Sequence, residues 1–169
     1  MKKLLLSTIV LATVVFASES NSVGVKPVDN ELYIKECGSC HFDFQPGLLP
    51  EKSWKRMMGD LENHFGTDAT LAQEDHDTLV SYLNRNSSDK AMQYKRSRKM
   101  TQSISTYETP LKITEVPYFI KKHRKLPKRF IMQKEVKTLS NCMACHTTAN
   151  KGIYSERAIK IPNYGRWDD

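Results

Sequence analysis

The chain has 169 residues and a formal net charge of +7, with 26 Lys and Arg against 19 Asp and Glu. This length accommodates one domain or two small lobes. A basic balance suggests either an acidic partner or solubility, and the lack of a nucleic-acid-binding motif argues against nucleic acid. Hydrophobic residues make up 39% of the chain, which is a modest share for a globular core.

Residues 1–17 have the pattern of a secretory signal peptide. Lys2 and Lys3 precede an apolar run from Leu4 to Phe16, and Ala17 offers a small residue for cleavage. The run is too short for a comfortable membrane span, although an uncleaved anchor is the alternative. We therefore predict export to the periplasm, no integral membrane span in the mature protein, and a flexible leader over residues 18–28.

Helical periodicity predicts four helices in the next part of the chain. Asp29 caps the first helix, which carries Tyr33 towards Cys37. The other three are predicted from Glu51 to Phe65 with Gly66 as its stop, from Leu71 to Asn84, and from the Ser87–Asp89 cap to Gln102.

The remaining chain is predicted as a crossover, two helices and an irregular tail. Pro110 marks the crossover at residues 103–114, and Pro117 opens a helix that Pro127 ends. The last helix begins at about Gln133. We find no strand pattern of consequence, so the predicted fold class is mainly α: a small helical protein with two lobes, residues 29–105 and 106–169, irregular loops and a C-terminal tail.

All four cysteines lie in two Cys-x-x-Cys-His motifs, Cys37–His41 and Cys142–His146. This motif is the attachment signature of a c-type haem. The two thiols can form thioethers with the two vinyl groups of one porphyrin, and the next residue then lies under the ring. We predict two covalently bound haems, with iron ligands His41 and His146 and attachment residues Cys37, Cys40, Cys142 and Cys145.

Three other interpretations of the cysteines are weaker. Structural zinc pairs usually lie about 15–20 residues apart, whereas about a hundred residues separate these two pairs. A thioredoxin-like motif requires a βαβ setting, and two disulfides would leave His41 and His146 unexplained. Two buried haems would also supply the apolar surface that the composition lacks, so we expect the apo-chain to fold poorly.

A six-coordinate iron needs a second axial ligand, and three histidines are available for this role. His64 and His123 lie on the apolar stripes of their predicted helices, whereas His76 lies among acidic residues, which favours a partly exposed position. Methionine is the other usual ligand, and the candidates are Met57, Met58, Met92, Met100 and Met132. The simplest solution uses His64 in one lobe and His123 in the other, which leaves no open iron for a substrate.

The densest basic cluster surrounds His123 and consists of Lys121, Lys122, Arg124, Lys125, Lys128 and Arg129. These cations can pair with haem propionates, which would raise the reduction potential somewhat. A solvated basic face is at least as good an explanation for any single one of them.

Ordered segments from about Glu31 to Pro162 resemble the dihaem cytochrome c family, often called DHC. They are residues 36–42, 45–50, 61–66, 109–115, 117–124, 141–146 and 157–162. The resemblance implies a periplasmic helical protein with two bis-histidine haems. It pairs His41 with His64 and His146 with His123, and it leaves His76 outside the family pattern. It also implies electron transfer from a membrane cytochrome b to a small monohaem cytochrome c.

The predicted function is therefore electron transfer between redox proteins, not catalysis. The alternative is a small haem enzyme of the peroxidase or oxyanion reductase type, in which one distal histidine is displaced and Arg124 or His76 acts as acid or base. A zinc-stabilised binding protein is a third hypothesis from a different class.

Overall fold

The computed structural model describes residues 22–167, so the signal peptide predicted at residues 1–17 lies outside it. The described residues form six α-helices and one two-stranded antiparallel sheet. The elements are α1 (Glu31–Cys37), α2 (Glu51–Met58), α3 (Gln73–Asn86), α4 (Lys95–Ser103), α5 (Pro117–His123), α6 (Lys128–Ile131), β1 (Lys160–Ile161) and β2 (Gly165–Arg166). The predicted mainly α fold class is confirmed. Among residues 22–167, no helix has the length and apolar character of a membrane span.

A single hydrophobic cluster joins the helices. Trp54 of α2 is buried with Leu79 and Leu83 of α3, and its indole N–H donates to the carbonyl of Pro46 at 2.8 Å. The same cluster continues through Met100 of α4 and Phe119 of α5. Because each buried side chain of this size contributes about 1.5–3 kcal/mol, this cluster ties the two haem-binding regions of the chain together.

The fully buried Gln45 connects the two regions by hydrogen bonds. Its Nε2 donates to the carbonyl of Ala149 at 2.5 Å, and its Oε1 accepts from the hydroxyl of Tyr154 at 2.7 Å. An amide buried with both ends paired fixes the relative position of the segments that it joins.

The end of the predicted flexible leader is packed against the C-terminal region. The backbone N–H groups of Gly24 and Val25 donate to the carbonyl of Gly152 at 2.8 and 3.1 Å, and Val25 is fully buried. Gly152 has φ +68°, and a Cβ there would lie 1.9 Å from the carbonyl oxygen of Val25. Only glycine permits both this left-handed conformation and this close approach.

Several helix boundaries differ from the predicted ones. The first cap is Asn30, whose Oδ1 accepts from the N–H of Tyr33. Helix α2 ends at Met58, because Gly59 caps it and Asp60 leaves the helical region with φ −146°. Helix α4 begins at Lys95, after a series of turns over residues 87–94.

The helix predicted from Gln133 to the second motif is also wrong. Lys137 takes a left-handed φ of 64°, which breaks any helix at that point. The second motif instead begins with the short 3₁₀ turn Cys142–Ala144. The sheet of β1 and β2 was not predicted, because strands of two residues carry no readable alternation.

Candidate functional site

The first motif follows directly from the end of α1. Cys37 is the last residue of the helix, and Cys40 and His41 are exposed in the turn beyond it. The Nδ1 of His41 lies 2.8 Å from the carbonyl oxygen of Phe42. When Nδ1 carries the proton and donates to that carbonyl, the lone pair of Nε2 is free to bind a metal.

His64 faces His41 from a tight turn. The turn leaves the 3₁₀ segment Leu61–Asn63 and is closed by a hydrogen bond from the N–H of Thr67 to the carbonyl of His64. Phe65 and Gly66 give it positive φ values of 51° and 90°. The His41 and His64 ring centroids are 6.2 Å apart with an interplanar angle of 24°. Partial burial, with a contribution from the His41 charge, lowers the pKa of His64.

The second motif is held by one internal hydrogen bond and by hydrogen bonds to two other segments. The side chain of Asn141 donates to the carbonyl of Val136, the N–H of His146 donates to the carbonyl of Cys142, and the N–H of Lys160 in β1 donates to the carbonyl of Cys145. Burial raises the pKa of the Cys142 thiol to about 11. Burial, with the charges of His123 and Arg96, lowers the pKa of His146 to about 4. The imidazole of His146 is therefore neutral at neutral pH, as a metal ligand must be.

His123 faces His146 from the last turn of α5. Its ring stacks on Phe119 with centroids 3.9 Å apart and an interplanar angle of 15°. Its Nδ1 lies 2.9 Å from the carbonyl oxygen of Phe119. The His123 and His146 ring centroids are 6.1 Å apart, but the two rings are inclined at 72°.

The two centroid separations can be compared with the size of an iron site. Two metal–nitrogen bonds of about 2.0 Å, with about 1.1 Å from each nitrogen to its ring centroid, place the centroids about 6.2 Å apart. The separations of 6.2 and 6.1 Å match this value. Each pair therefore leaves room for one iron between its imidazoles.

A cavity of about 370 Å³ adjoins the second pair. His123, His146, Cys142 and Cys145 line it, together with the apolar side chains Met100, Leu126, Val136, Leu139, Ile161 and Trp167. Lys122, Arg157 and Arg166 also line it. An apolar cavity of this size with cations at its edge fits a flat macrocycle that carries two carboxylates. The residues present thus fit a haem.

The structure keeps His76 apart from both pairs. Its Nε2 lies 3.0 Å from the carbonyl oxygen of Met58, and its Nδ1 lies 3.2 Å from the carboxylate of Asp77. The backbone hydrogen bond to Met58, followed by the Asp77 contact, raises the pKa of His76. Its intermediate burial in the first turn of α3 agrees with the predicted partly exposed position.

The candidate methionines are dispersed. Met58 is buried in the hydrophobic cluster, whereas Met132 is 79% exposed. Met100 lines the second cavity without displacing His123 from its position opposite His146. No two of the four cysteines form a disulfide with each other.

Sequence reasoning missed two residues that shape the second pair. Phe119 lies one helical turn before His123, and this i, i+4 spacing on α5 could have revealed the stacked contact. Tyr154, whose ring centroid is 5.5 Å from that of His146, comes from the predicted irregular tail, where no periodicity pointed to it.

Comparisons with known proteins agree with this geometry. The family model described as dihaem cytochrome c matches residues 33–154. The X-ray structure of a dihaem cytochrome c from Shewanella baltica is 36% identical, covers 82% of this chain and 98% of its own, and has a TM-score of 0.67. A dihaem cytochrome c from Rhodobacter sphaeroides is 35% identical, covers 77% of this chain and 100% of its own, and has a TM-score of 0.68. A search of curated proteins found no match.

The fold and the paired motifs are thus those of a c-type cytochrome with two haem sites. The chain belongs to the dihaem cytochrome c family. Its cofactors are two c-type haems, in keeping with its two Cys-x-x-Cys-His motifs.

Proposed function

We propose that the protein is a periplasmic electron carrier in which both irons are six-coordinate and bis-histidine. His41 and His64 ligate the first iron, and His146 and His123 ligate the second. The haems are attached through the residues Cys37, Cys40, Cys142 and Cys145. The observation that carries this proposal is the separation of the two histidine pairs, 6.2 and 6.1 Å between centroids.

When bound, the haem iron supplies a one-electron ferric–ferrous couple. The chain's own residues orient and protect the ligands. The carbonyl groups of Phe42 and Phe119 accept from the Nδ1 atoms of His41 and His123, which fixes the tautomer with Nε2 towards the iron. Burial keeps His146 neutral. With two imidazoles on each iron, no position remains for a substrate, so the function is electron transfer and not catalysis.

The localisation and partners form part of the same proposal. The pattern of residues 1–17 supports export, and c-type haem attachment takes place outside the cytoplasm. The family resemblance supports a membrane cytochrome b as the electron donor and a small monohaem cytochrome c as the acceptor.

One observation favours the alternative of a small haem enzyme at the first site. His64 is presented by a short turn whose next residue, Phe65, is 53% exposed, whereas His123 belongs to a helix and stacks on Phe119. A ligand on such a turn is more easily displaced than one on a packed helix. If either iron opens to a substrate, it is the one beside His64.

Low-temperature EPR of the oxidised, exported protein tests the proposal, with haem counted chemically on the same sample. We expect two low-spin ferric haems and no high-spin signal. His64→Ala and His123→Ala should each convert one haem of two to a high-spin form, and the control His76→Ala should leave the spectrum unchanged. A strong high-spin signal in the unaltered protein at neutral pH would contradict six-coordination and favour the enzyme.

A further inference from the structure

Charge is unevenly distributed along the chain. Residues 29–84, which contain His41 and His64, carry 11 acidic side chains and 4 Lys or Arg, and the intervening residues 85–105 carry 1 acidic side chain and 6 Lys or Arg. Residues 106–167, which contain His123 and His146, carry 4 acidic side chains and 13 Lys or Arg. The modest net charge of the whole chain therefore conceals an acidic first site and a basic second site.

Two of these acidic side chains precede His64 directly in the chain. Asp60 and Glu62 are exposed in the segment that leads to His64. Asp75, in the first turn of α3, is near enough to help raise the pKa of Lys35, after the larger effect of Glu36. A negative partner that approaches this site meets several like charges.

The second site is bordered by an exposed face that we call the basic face. It consists of Ile120, Lys121, Arg124, Lys125, Lys128 and Met132, from α5, the segment between α5 and α6, the first residue of α6 and the residue after α6. No Asp or Glu occurs from residue 117 to residue 134. Leu126 and His123, which line the second cavity, belong to the same stretch. The basic face thus adjoins the cavity directly.

Two large apolar side chains interrupt the cations of the basic face. Ile120 is 51% exposed and Met132 is 79% exposed. Apolar side chains within a charged, solvated surround are typical of protein interfaces, where the charges steer the encounter and the apolar atoms make the contact. A basic surface that contacts only solvent would gain no stability from exposing large apolar side chains.

We infer that the basic face is the docking surface for an acidic redox protein, and that this partner exchanges its electron at the second site. This inference rests on the proposed electron-transfer function. In each exchange, one electron leaves the partner's cofactor and one ferric iron becomes ferrous. The acidic surround of the first site repels the same partner, so the charge distribution assigns it to one of the two sites.

Flavodoxin hydroquinone, a strongly acidic one-electron donor, is a suitable probe in stopped flow against the oxidised holoprotein. The rate constant for reduction should be highest at low ionic strength and should fall as salt is added. In the variant Lys125→Glu/Lys128→Glu, the low-salt rate constant should fall by about tenfold. Neither residue lines the cavity or contacts a proposed ligand.

The matched control is Arg56→Glu/Lys99→Glu, which changes the net charge equally at two exposed positions on α2 and α4. It should lower the rate constant by less than about twofold. An equal fall in both variants would overturn the inference, because the effect would then come from net charge alone. A rate independent of salt would also overturn it. In the milder variant Lys125→Gln/Lys128→Gln, the rate constant should fall by an intermediate amount. This variant keeps the test valid if Lys125→Glu/Lys128→Glu fails to fold.

The same samples separate this inference from the proposed function. EPR and the haem count are recorded before mixing. If the haems are low-spin and flavodoxin reduces them at equal rates in all variants, the inferred docking surface is contradicted, whereas the proposed electron-transfer function is not. If the haems are high-spin, or if flavodoxin cannot reduce them, the proposed electron-transfer function itself is contradicted.

Discussion

The same five-residue motif occurs in two different environments within one small protein. At the first site, Cys40 and His41 are exposed and His64 comes from a turn. At the second site, a cavity of about 370 Å³ adjoins the motif, and His123 comes from a helix. The two motifs share one pattern, whereas burial, ring orientation and charge come from the segments packed around each of them.

The largest expected difference between the two sites is in stability. Without its cofactor, the apolar lining of the cavity of about 370 Å³ would be exposed to water, which costs about 25 cal/mol for each Å² of apolar surface. Because a typical domain is stable by only about 5–15 kcal/mol, this loss of burial would remove a large part of the stability. Cys142→Ala/Cys145→Ala should therefore unfold the region around α5 and α6 unless haem is retained without thioether bonds.

The matched variant Cys37→Ala/Cys40→Ala should be less damaging, because Cys40 and His41 of the first motif are exposed and contribute less to the core. Urea unfolding followed by circular dichroism, with haem counted for each variant, measures the difference. Equal losses of stability in the two variants would mean that the two sites contribute equally to the core and that the contrast in burial has no energetic consequence.

A spectroscopic difference should follow from the ring orientations. Near-parallel imidazole planes split the two iron d orbitals that interact with them, whereas near-perpendicular planes leave these orbitals close in energy. The first pair is inclined at 24° and the second at 72°. We expect EPR to show one low-spin signal with three resolved g values, from the first site, and one dominated by a single large g value, from the second.

Phe119 allows this assignment to be tested. Its ring stacks on His123 at 15° and so holds the imidazole plane. Phe119→Leu should release that plane and shift the large-g signal, while the other signal stays in place. Phe65→Leu, which alters the ring beside His64, is the matched control and should affect the other signal. Two signals of the same type in the unaltered protein would contradict the different ring orientations.

Much of the fold and of the site could be predicted from the sequence. The two motifs, the position of α3 and the apolar stripe of α5 follow from spacing and periodicity, and the structure places His123 beside His146. The helix that was expected to carry His64 ends before it, since Gly59 caps α2. His64 still faces His41, because the following turn returns the chain to the same side. Contacts such as Gln45 with Tyr154, more than a hundred residues apart, leave no local signal.

The smallest expected effect is on the pH dependence of stability, and it concerns His76, which lies outside both sites. Its hydrogen bond to the Met58 carbonyl, with the Asp77 contact, raises the pKa of its imidazole in the folded state above the usual 6.5. The protonated form is thus the stabilised one. Its contribution to the free energy of unfolding is fully present below the unfolded-state pKa and is lost as pH rises through the folded-state pKa.

The measurement is the melting temperature of the unaltered protein minus that of His76→Gln. This difference should be larger at pH about 5 than at pH about 8, where the imidazole is neutral. Asp77→Asn should reduce the pH dependence without abolishing it, because the Met58 carbonyl remains as an acceptor. A difference that grows as pH rises would mean that His76 stabilises the fold in its neutral form. In that case a neutral Nε2–H group would donate to the Met58 carbonyl, and protonation would add no stability through the Asp77 contact.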